Sequence, residues 1–170
     1  RNPEILWKVL NNLIKEEKIL KNYLKLNLVG NVSFEVKESI KKYSLEPYVE
    51  YIGHVAYGQT SKYLKNSQIL LLIQTNKLES NYIIPAKLFE YLNSNRPIIS
   101  ISNNDDVDNI IKDTNVGSNF KYDQEIELYY CILNYFEKFL NDGISILPKN
   151  INKYNRIELT KSISNIIKNL

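Results

Sequence analysis

Apolar residues along this chain follow two different spacings. In the first stretch they recur three or four positions apart, which predicts an amphipathic helix over 3–20. Its apolar side consists of Leu6, Val9, Leu10, Leu13 and Ile14. Elsewhere the apolar residues form short continuous runs, and such runs are typical of buried strands. Strands are predicted at 26–29, 49–52, 69–73 and 97–101, where the runs are continuous or nearly so, and a short one at 117–120.

Stretches with helical spacing separate these runs. Helices are predicted over 32–43, 60–65, 85–92, 107–112 and 125–140, followed by a terminal amphipathic helix over 153–170. The apolar positions of that last helix are Leu159, Ile163, Ile166, Ile167 and Leu170. Helix and strand therefore alternate, and parallel strands need such helical crossovers. The pattern predicts an α/β fold: a doubly wound, Rossmann-like parallel sheet with helices on both faces, forming a single domain over 1–170.

Composition narrows the class of protein further. A length of 170 residues suits one domain, and 44% hydrophobic with 24% charged residues is typical of a soluble globular chain. No apolar run approaches the roughly 18 to 20 residues of a membrane span. The net charge of +3 is scattered, so nucleic acid is not an expected partner. Cys131 is the single cysteine, which excludes an intramolecular disulfide and fits a reducing, cytoplasmic setting.

The segment 84–100, IPAKLFEYLNSNRPIIS, contains the most informative local pattern. Pro85 is expected in the first turn of a helix that ends near Leu92. Ligands of doubly wound sheets bind at the carboxyl ends of the strands, and the loop before this helix belongs to that edge. The N–H groups over 83–87 are therefore a candidate cradle for phosphate, although Pro85 could simply begin a structural helix. Neither G-x-G-x-x-G nor G-x-x-x-x-G-K-[ST] occurs, which disfavours dinucleotides and ATP.

The sequence patterns P-x-K-x-x-E-Y at 85–91 and R-P-I-I at 96–99 resemble the donor-site motif of a known enzyme family. That family comprises the sugar-nucleotide-dependent glycosyltransferases of the GT-B fold, family 4, and the motif belongs to their C-terminal half. LKLNLVG, VEYIGHV and SKYLKNSQILLLI are similar to neighbouring family elements, so the resemblance covers nearly all of the chain. It implies a nucleotide-sugar-binding C-terminal domain whose N-terminal, acceptor-binding partner domain is missing.

The chain has no methionine and opens on Arg1, which fits the expectation that it is a piece of a longer protein. The sequence R-N-P-E-I-L at 1–6 looks like the start of the helix after the family's first strand. The resemblance then implies that this first strand is also absent. In the family a basic residue at this point contacts the diphosphate, which makes Arg1 a candidate donor-binding residue.

The resemblance assigns further donor-binding residues. Glu90 falls on the Glu that hydrogen-bonds the ribose, and Lys87, three residues earlier on the same helix face, can offer its ammonium to a phosphate. Without a ligand, the same spacing predicts an ion pair between Lys87 and Glu90. His54 and Val55 lie where the family recognises the base. A lone His at such a place is more often a surface residue than a general base.

One departure from the family concerns catalysis. Many members carry a first Glu eight residues before the ribose Glu, and here Tyr82 occupies that position. The main-chain N–H groups of Tyr82, Ile83 and Ile84 are the remaining candidates for contact with the diphosphate and sugar. No catalytic residue is assigned, and the sugar and the stereochemical outcome stay open. No cofactor or metal is expected, because the group Asp105, Asp106 and Asp108 is better explained as a helix start.

The expected function is transfer of a sugar from a nucleoside diphosphate donor to a glycan or lipid-linked acceptor, in cell-surface polysaccharide synthesis. The expected partners are a nucleotide sugar and the missing N-terminal domain, and a place at the inner face of the membrane stays open for the full-length protein. The piece alone is expected to bind donor weakly and turn nothing over. Two alternatives remain: a non-catalytic Rossmann-like interaction module, and half of a sugar-nucleotide epimerase, although the epimerases' catalytic residues are not found here.

Overall fold

The computed structural model describes residues 1–169, and of Tyr57 it describes only the place in a helix. Leu170, which the sequence assigned to the terminal helix, lies outside the described residues. Within 1–169 the elements are α1 (Glu4–Glu16), β1 (Leu26–Val29), α2 (Phe34–Lys42), β2 (Val49–Gly53), α3 (Tyr57–Asn66), β3 (Leu70–Ile73), α4 (Ala86–Leu92), β4 (Ile98–Ile101), α5 (Asp105–Thr114), β5 (Gly117–Phe120), α6 (Glu125–Asn141) and α7 (Arg156–Lys168).

All strands pair in parallel, in two separate sheets. β1 pairs with β2, and β4 lies between β3 and β5. The predicted α/β class with parallel strands is therefore confirmed. Among residues 1–169, however, β1 and β3 do not pair with each other, so the strands do not form one continuous sheet. The order within the two sheets leaves β1 and β3 each with one unpaired edge.

Helices cover both faces of the sheets, as predicted. Successive side chains of a strand point to opposite faces, and β4 shows this directly. Ile99 and Ile101 belong to one buried cluster, together with residues of α1, α2 and α6. Ile98 belongs to a second cluster, with residues of α4 and α5. The three isoleucines are almost fully buried, at 0 to 2% exposure, and β4 is the central strand of its sheet.

β5 begins at a glycine because β4 passes too close for a side chain. Gly117 lies opposite Ile98 in the parallel register. A Cβ atom added at Gly117 would lie 1.9 Å from the carbonyl oxygen of Ile98, far inside van der Waals contact. The approach of the two backbones therefore requires glycine at this position.

Predicted helix boundaries differ from the structure by up to four residues, and α1 and α7 show why. α1 ends at Glu16 instead of near 20, because the chain leaves the helical conformation at Glu17, where ψ is 78°. The terminal helix begins at Arg156 instead of 153, since Ile151–Tyr154 form a separate 3-10 turn. The side-chain oxygen of Asn155 accepts a hydrogen bond from the N–H of Glu158 at 2.8 Å, and this hydrogen bond caps the start of α7.

The turn before α7 is fastened to α5 through one carboxylate. Asp113 accepts hydrogen bonds from Lys153 Nζ at 2.9 Å, from the Tyr154 hydroxyl at 2.7 Å and from Asn150 Nδ2 at 3.0 Å. These donors stabilise the charged form and lower the pKa of Asp113 to about 2. α7 itself has no buried residue in its described part. The chain is therefore held at the turn, while the helix beyond it stays open to solvent.

Candidate functional site

A cleft of about 1080 Å³ separates the two sheets. Its walls are β1 and β3, and helices α1, α3 and α6 also line it. We call it the central cleft. Among its lining residues are the strand residues 26–29 and 70–73 and the helical residues Leu6, Trp7, Leu10, Ile132 and Phe136. The cleft therefore runs along the whole length of both strands and ends at their carboxyl edge.

Five residues assigned from sequence line this one cleft. Arg1, His54, Val55, Lys87 and Glu90 all contribute to its lining. They come from three segments that are distant in the chain. The parallel topology brings them together, because the loops that follow β1 and β2 and the start of α4 meet at the same edge.

The short helix α4 presents Lys87 and Glu90 to the cleft. Leu88 and Leu92 are buried on the other side of the helix, which fixes its orientation. The ion pair that the spacing predicts is absent: within residues 1–169, neither the Lys87 nor the Glu90 side chain makes a hydrogen bond or salt bridge. Both side chains are exposed and free to contact a ligand. Burial raises the pKa of the neighbouring Tyr91, and the charge of Glu90 adds to that increase.

Arg1 lies close to the carboxyl edge of the sheet. The hydroxyl of Tyr122, just beyond β5, donates a hydrogen bond to the carbonyl of Gln74, just beyond β3. Burial raises the pKa of Tyr122, and the positive charge of Arg1 acts against that increase. Arg1 itself lines the central cleft.

The loop between β3 and α4 is held in place by buried amides that the sequence reasoning missed. Gln74 Nε2 donates to the carbonyl of Ile83 at 2.7 Å, and Asn104 Nδ2 donates to the same carbonyl at 3.1 Å. The hydroxyl of Ser102 in turn donates to Gln74 Oε1. Gln74, Ser102 and Asn104 are at most 4% exposed. The available signal was their position, since Gln74 and Ser102 follow directly after buried strands and Asn104 lies at the start of the next helix.

Tyr82, Ile83 and Ile84 do not join the other five predicted residues. None of the three lines the central cleft, and all three side chains are exposed. The N–H of Ile83 already donates to the carbonyl of Ser80 at 3.3 Å. Among residues 1–169 the N–H of Ile84 makes no backbone hydrogen bond. Of the three main-chain groups, Ile84 therefore offers a free donor, while Ile83 is engaged in the turn.

The start of α4 also differs in detail from the prediction. Pro85 has φ of −67° and ψ of 131°, so it is the cap residue before the helix and not part of its first turn. Its carbonyl accepts a hydrogen bond from the N–H of Leu88 at 2.9 Å. α4 has seven residues, which makes its dipole shorter than the sequence suggested. Contact with phosphate would therefore rely more on side-chain cations than on this helix end.

The acidic group after β4 starts a helix, but the cap is a different residue. Asn104 Oδ1 accepts hydrogen bonds from the N–H groups of Asp106 at 2.9 Å and Val107 at 3.2 Å. The aspartates occupy the first turn of α5, where their charge suits the helix dipole. Within the described residues no group of three or more His, Cys, Asp and Glu side chains could hold a metal ion.

None of the helices in residues 1–169 is both long enough and apolar enough to cross a membrane. Comparisons with known proteins add no family to this picture. No protein-family model matches the chain, and no curated protein matches it.

Proposed function

We propose that this chain is the nucleotide-sugar-binding domain of a glycosyltransferase, which transfers a sugar from a nucleoside diphosphate donor to a glycan or lipid-linked acceptor. One observation supports this most strongly. Residues that motif similarity assigned separately, namely Arg1, His54, Val55, Lys87 and Glu90, line a single cleft at the carboxyl edge of a parallel sheet. That edge is where ligands of doubly wound folds bind.

The charges at this edge suit a nucleoside diphosphate. Arg1 and Lys87 form no salt bridge within the described residues, so two cations face the cleft without a protein partner. A diphosphate would satisfy them both, and Arg can do so with two parallel hydrogen bonds. Glu90 supplies the complementary group, a carboxylate that accepts hydrogen bonds from the two hydroxyls of a ribose. In this arrangement His54 and Val55 lie beside the nucleotide base.

Catalysis in this proposal is electrostatic and positional. The cations stabilise the diphosphate as it leaves, while the sugar carbon takes on positive charge. The acceptor hydroxyl must be held close to that carbon by another domain. The chain by itself is therefore expected to bind donor without transferring sugar.

Calorimetric titration of UDP, GDP and ADP into the protein tests the proposal. We expect one of the three nucleotides to bind saturably. Glu90→Ala should weaken that binding by at least about tenfold, because a charge-assisted hydrogen bond contributes about 1.5 to 3 kcal/mol. Glu79→Ala is the matched control, since Glu79 is an exposed carboxylate of the adjacent loop that does not line the cleft.

The control separates a ribose contact from a general loss of negative charge. Binding that falls equally in both variants would contradict the role of Glu90. Absence of binding by all three nucleotides would contradict the donor-domain proposal itself.

A second candidate function is a non-catalytic module that binds a protein partner. The observation that favours it is α7, whose residues Ile157, Ile163, Ile166 and Ile167 are each at least 59% exposed. An apolar helix face of this kind commonly marks an interaction site. Such a module has no reason to bind UDP, GDP or ADP, so the same titration distinguishes the two candidates.

A further inference from the structure

The excess of positive charge in this chain lies in α7 and the turn before it. Residues 149–170 contain one carboxylate, Glu158, and five basic side chains: Lys149, Lys153, Arg156, Lys161 and Lys168. Five positive charges and one negative charge give this segment a net charge of +4, and because the whole chain has +3, residues 1–148 have −1. The basic residues are spaced three to seven positions apart, so they form no continuous block in the sequence. Such a difference between two parts of one chain indicates an anionic partner for the basic part.

Only part of this charge is neutralised within the protein. Lys153 forms a salt bridge with Asp113, and Lys161 forms one with Glu158. The other three basic side chains are exposed and make no salt bridge within residues 1–169: Lys149, Arg156 and Lys168. Their charge is therefore available to the phosphate groups of a partner.

The apolar residues of α7 form one stripe along the helix. Four of them occupy positions i, i+4, i+7 and i+8, which share one side of an α-helix: Leu159, Ile163, Ile166 and Ile167. We call these four residues the apolar stripe, and all four side chains are exposed. Lys161 and Lys168 each follow a stripe residue by two positions, which turns them about 200° around the helix. α7 therefore has an apolar side and a cationic side.

The rest of the protein leaves the apolar stripe uncovered. α7 has no buried residue in its described part, and the turn before it is fastened to α5 through Asp113. The helix is thus attached at its beginning, while its stripe stays accessible. Contact of these apolar side chains with water is unfavourable, and a partner that removes them from water would be bound.

The two sides of α7 together match the surface of an anionic lipid bilayer. An amphipathic helix with cations on its polar side lies in the plane of such a surface, with its apolar side among the acyl chains. The 13 residues of α7 are about 20 Å long, shorter than the roughly 30 Å of the hydrocarbon layer, so the helix would lie on the bilayer without crossing it. A nucleic acid would pair with the cations and leave the stripe exposed, and a protein partner would cover the stripe without requiring the excess charge.

We propose that α7 is a membrane-surface helix, which binds anionic phospholipid bilayers through the apolar stripe and through Lys149, Arg156 and Lys168. The contacts of Asp113 with the turn keep the rest of the protein attached to that surface. This inference does not depend on the proposed donor-binding function. It adds a location to it, because the domain would then be held where lipid-linked acceptors reside.

Co-sedimentation of the protein with vesicles tests this inference. One set of vesicles contains phosphatidylcholine and phosphatidylglycerol at about 7 to 3, and the other contains phosphatidylcholine alone. We expect binding to the mixed vesicles, and binding at least about tenfold weaker to phosphatidylcholine alone, because each basic residue near an anionic surface contributes about fivefold. Salt should weaken binding to the mixed vesicles, since it screens these charges.

Substitutions on α7 separate the apolar contribution from the charged one. Ile166→Gln should weaken binding to the mixed vesicles by at least about threefold, because less apolar surface enters the bilayer. The matched control is Ile126→Gln in α6, since Ile126 is 70% exposed against 63% for Ile166, and it should change binding by less than about twofold. The pair Arg156→Gln and Lys168→Gln should weaken binding on the order of twentyfold. All these side chains are exposed, so circular dichroism and the thermal midpoint should stay unchanged.

Three results would overturn the proposal. The first is a lack of binding to the mixed vesicles, or binding that Ile166→Gln weakens no more than Ile126→Gln does. The second is binding that only the charge substitutions affect, because such binding is electrostatic and does not involve the apolar stripe. The third is a dimer in analytical ultracentrifugation that dissociates when Ile163, Ile166 and Ile167 are all replaced by Gln, since a second copy would then cover the stripe.

Vesicle binding is measured without nucleotide, so its outcome is independent of the donor-domain proposal. The UDP, GDP and ADP titrations are made without vesicles and separate the two. Vesicle binding without nucleotide binding would support the membrane-surface helix and contradict the donor domain. Nucleotide binding without vesicle binding would do the reverse.

Discussion

Asn104 connects the loop of the candidate site to the helix that follows β4. Its Oδ1 caps α5 through the N–H groups of Asp106 and Val107, and its Nδ2 donates to the carbonyl of Ile83 in the loop. The side chain belongs to a residue that is only 1% exposed. Replacing Asn104 by alanine removes both connections at once. We expect the free energy of unfolding to fall by about 2 to 3 kcal/mol.

That magnitude follows from two contributions. Loss of a helix cap costs about 1 kcal/mol. Loss of a buried hydrogen bond costs about another 1 kcal/mol, and the small cavity left by the missing amide adds to this. The carbonyl of Ile83 keeps its bond from Gln74 Nε2 at 2.7 Å, so it is not left unsatisfied. Asn104→Ser, which keeps a capping oxygen but loses the amide, should cost about 1 kcal/mol less than alanine.

Urea unfolding of the two variants measures these differences, and amide exchange over 80–84 reports on the loop. For a chain of this length the alanine variant should lose about 4 to 12 °C in thermal midpoint. Exchange over 80–84 should quicken in both variants, because both lose the amide donor. The reasoning is refuted if alanine costs less than about 0.5 kcal/mol, or if the loop exchanges at the same rate in all three proteins.

Two further predictions concern stability away from the loop. The ionised form of Asp113 is favoured in the folded protein, so Asp113 stabilises the fold at pH values above its ordinary pKa of 3.8, and this contribution should disappear as the pH falls toward about 2. In urea titrations from pH 2 to 6, Asp113→Asn should flatten that part of the plot of stability against pH. An unchanged plot would contradict the role of Asp113. Gly117→Ala should destabilise the folded protein by at least about 2 kcal/mol, because the added Cβ clashes with Ile98. In the control Gly58→Ala, in α3, the added Cβ meets nothing within 4 Å, so this variant should be neutral or stabilising in thermal unfolding. Similar thermal midpoints for the two variants would contradict the close approach of Gly117 and Ile98.

Much of the candidate site was predictable from local sequence. The spacing of Lys87 and Glu90 placed both on one helix face, and the glycine that ends β2 placed His54 at the carboxyl edge. Such inferences depend on helix and strand periods, which short stretches of sequence determine. The absence of an ion pair between Lys87 and Glu90 was not predictable in this way. The spacing of two residues on a helix determines how close they lie, but not how their side chains are oriented.

The buried tether of the loop could not be derived from sequence either. Gln74 and Asn104 both donate to the carbonyl of Ile83, yet Asn104 lies 21 residues beyond it. Each amide is an ordinary surface residue by type, and only the adjacency of β3 and β4 turns them toward the same carbonyl. Burial of a polar side chain depends on partners that the fold supplies.

The sequence by itself determined the α/β class, the order of helices and strands, and the loops that meet at the carboxyl edge, because hydrophobic periodicity records which side of each element is buried. The tertiary structure decided what no local pattern contains: that the strands form two sheets, and that a cleft lined by β1 and β3 lies between them. It also brought Arg1, Lys87 and Glu90 to that cleft. Strand pairing and cavities arise from packing between distant segments, so they are properties of the assembled fold.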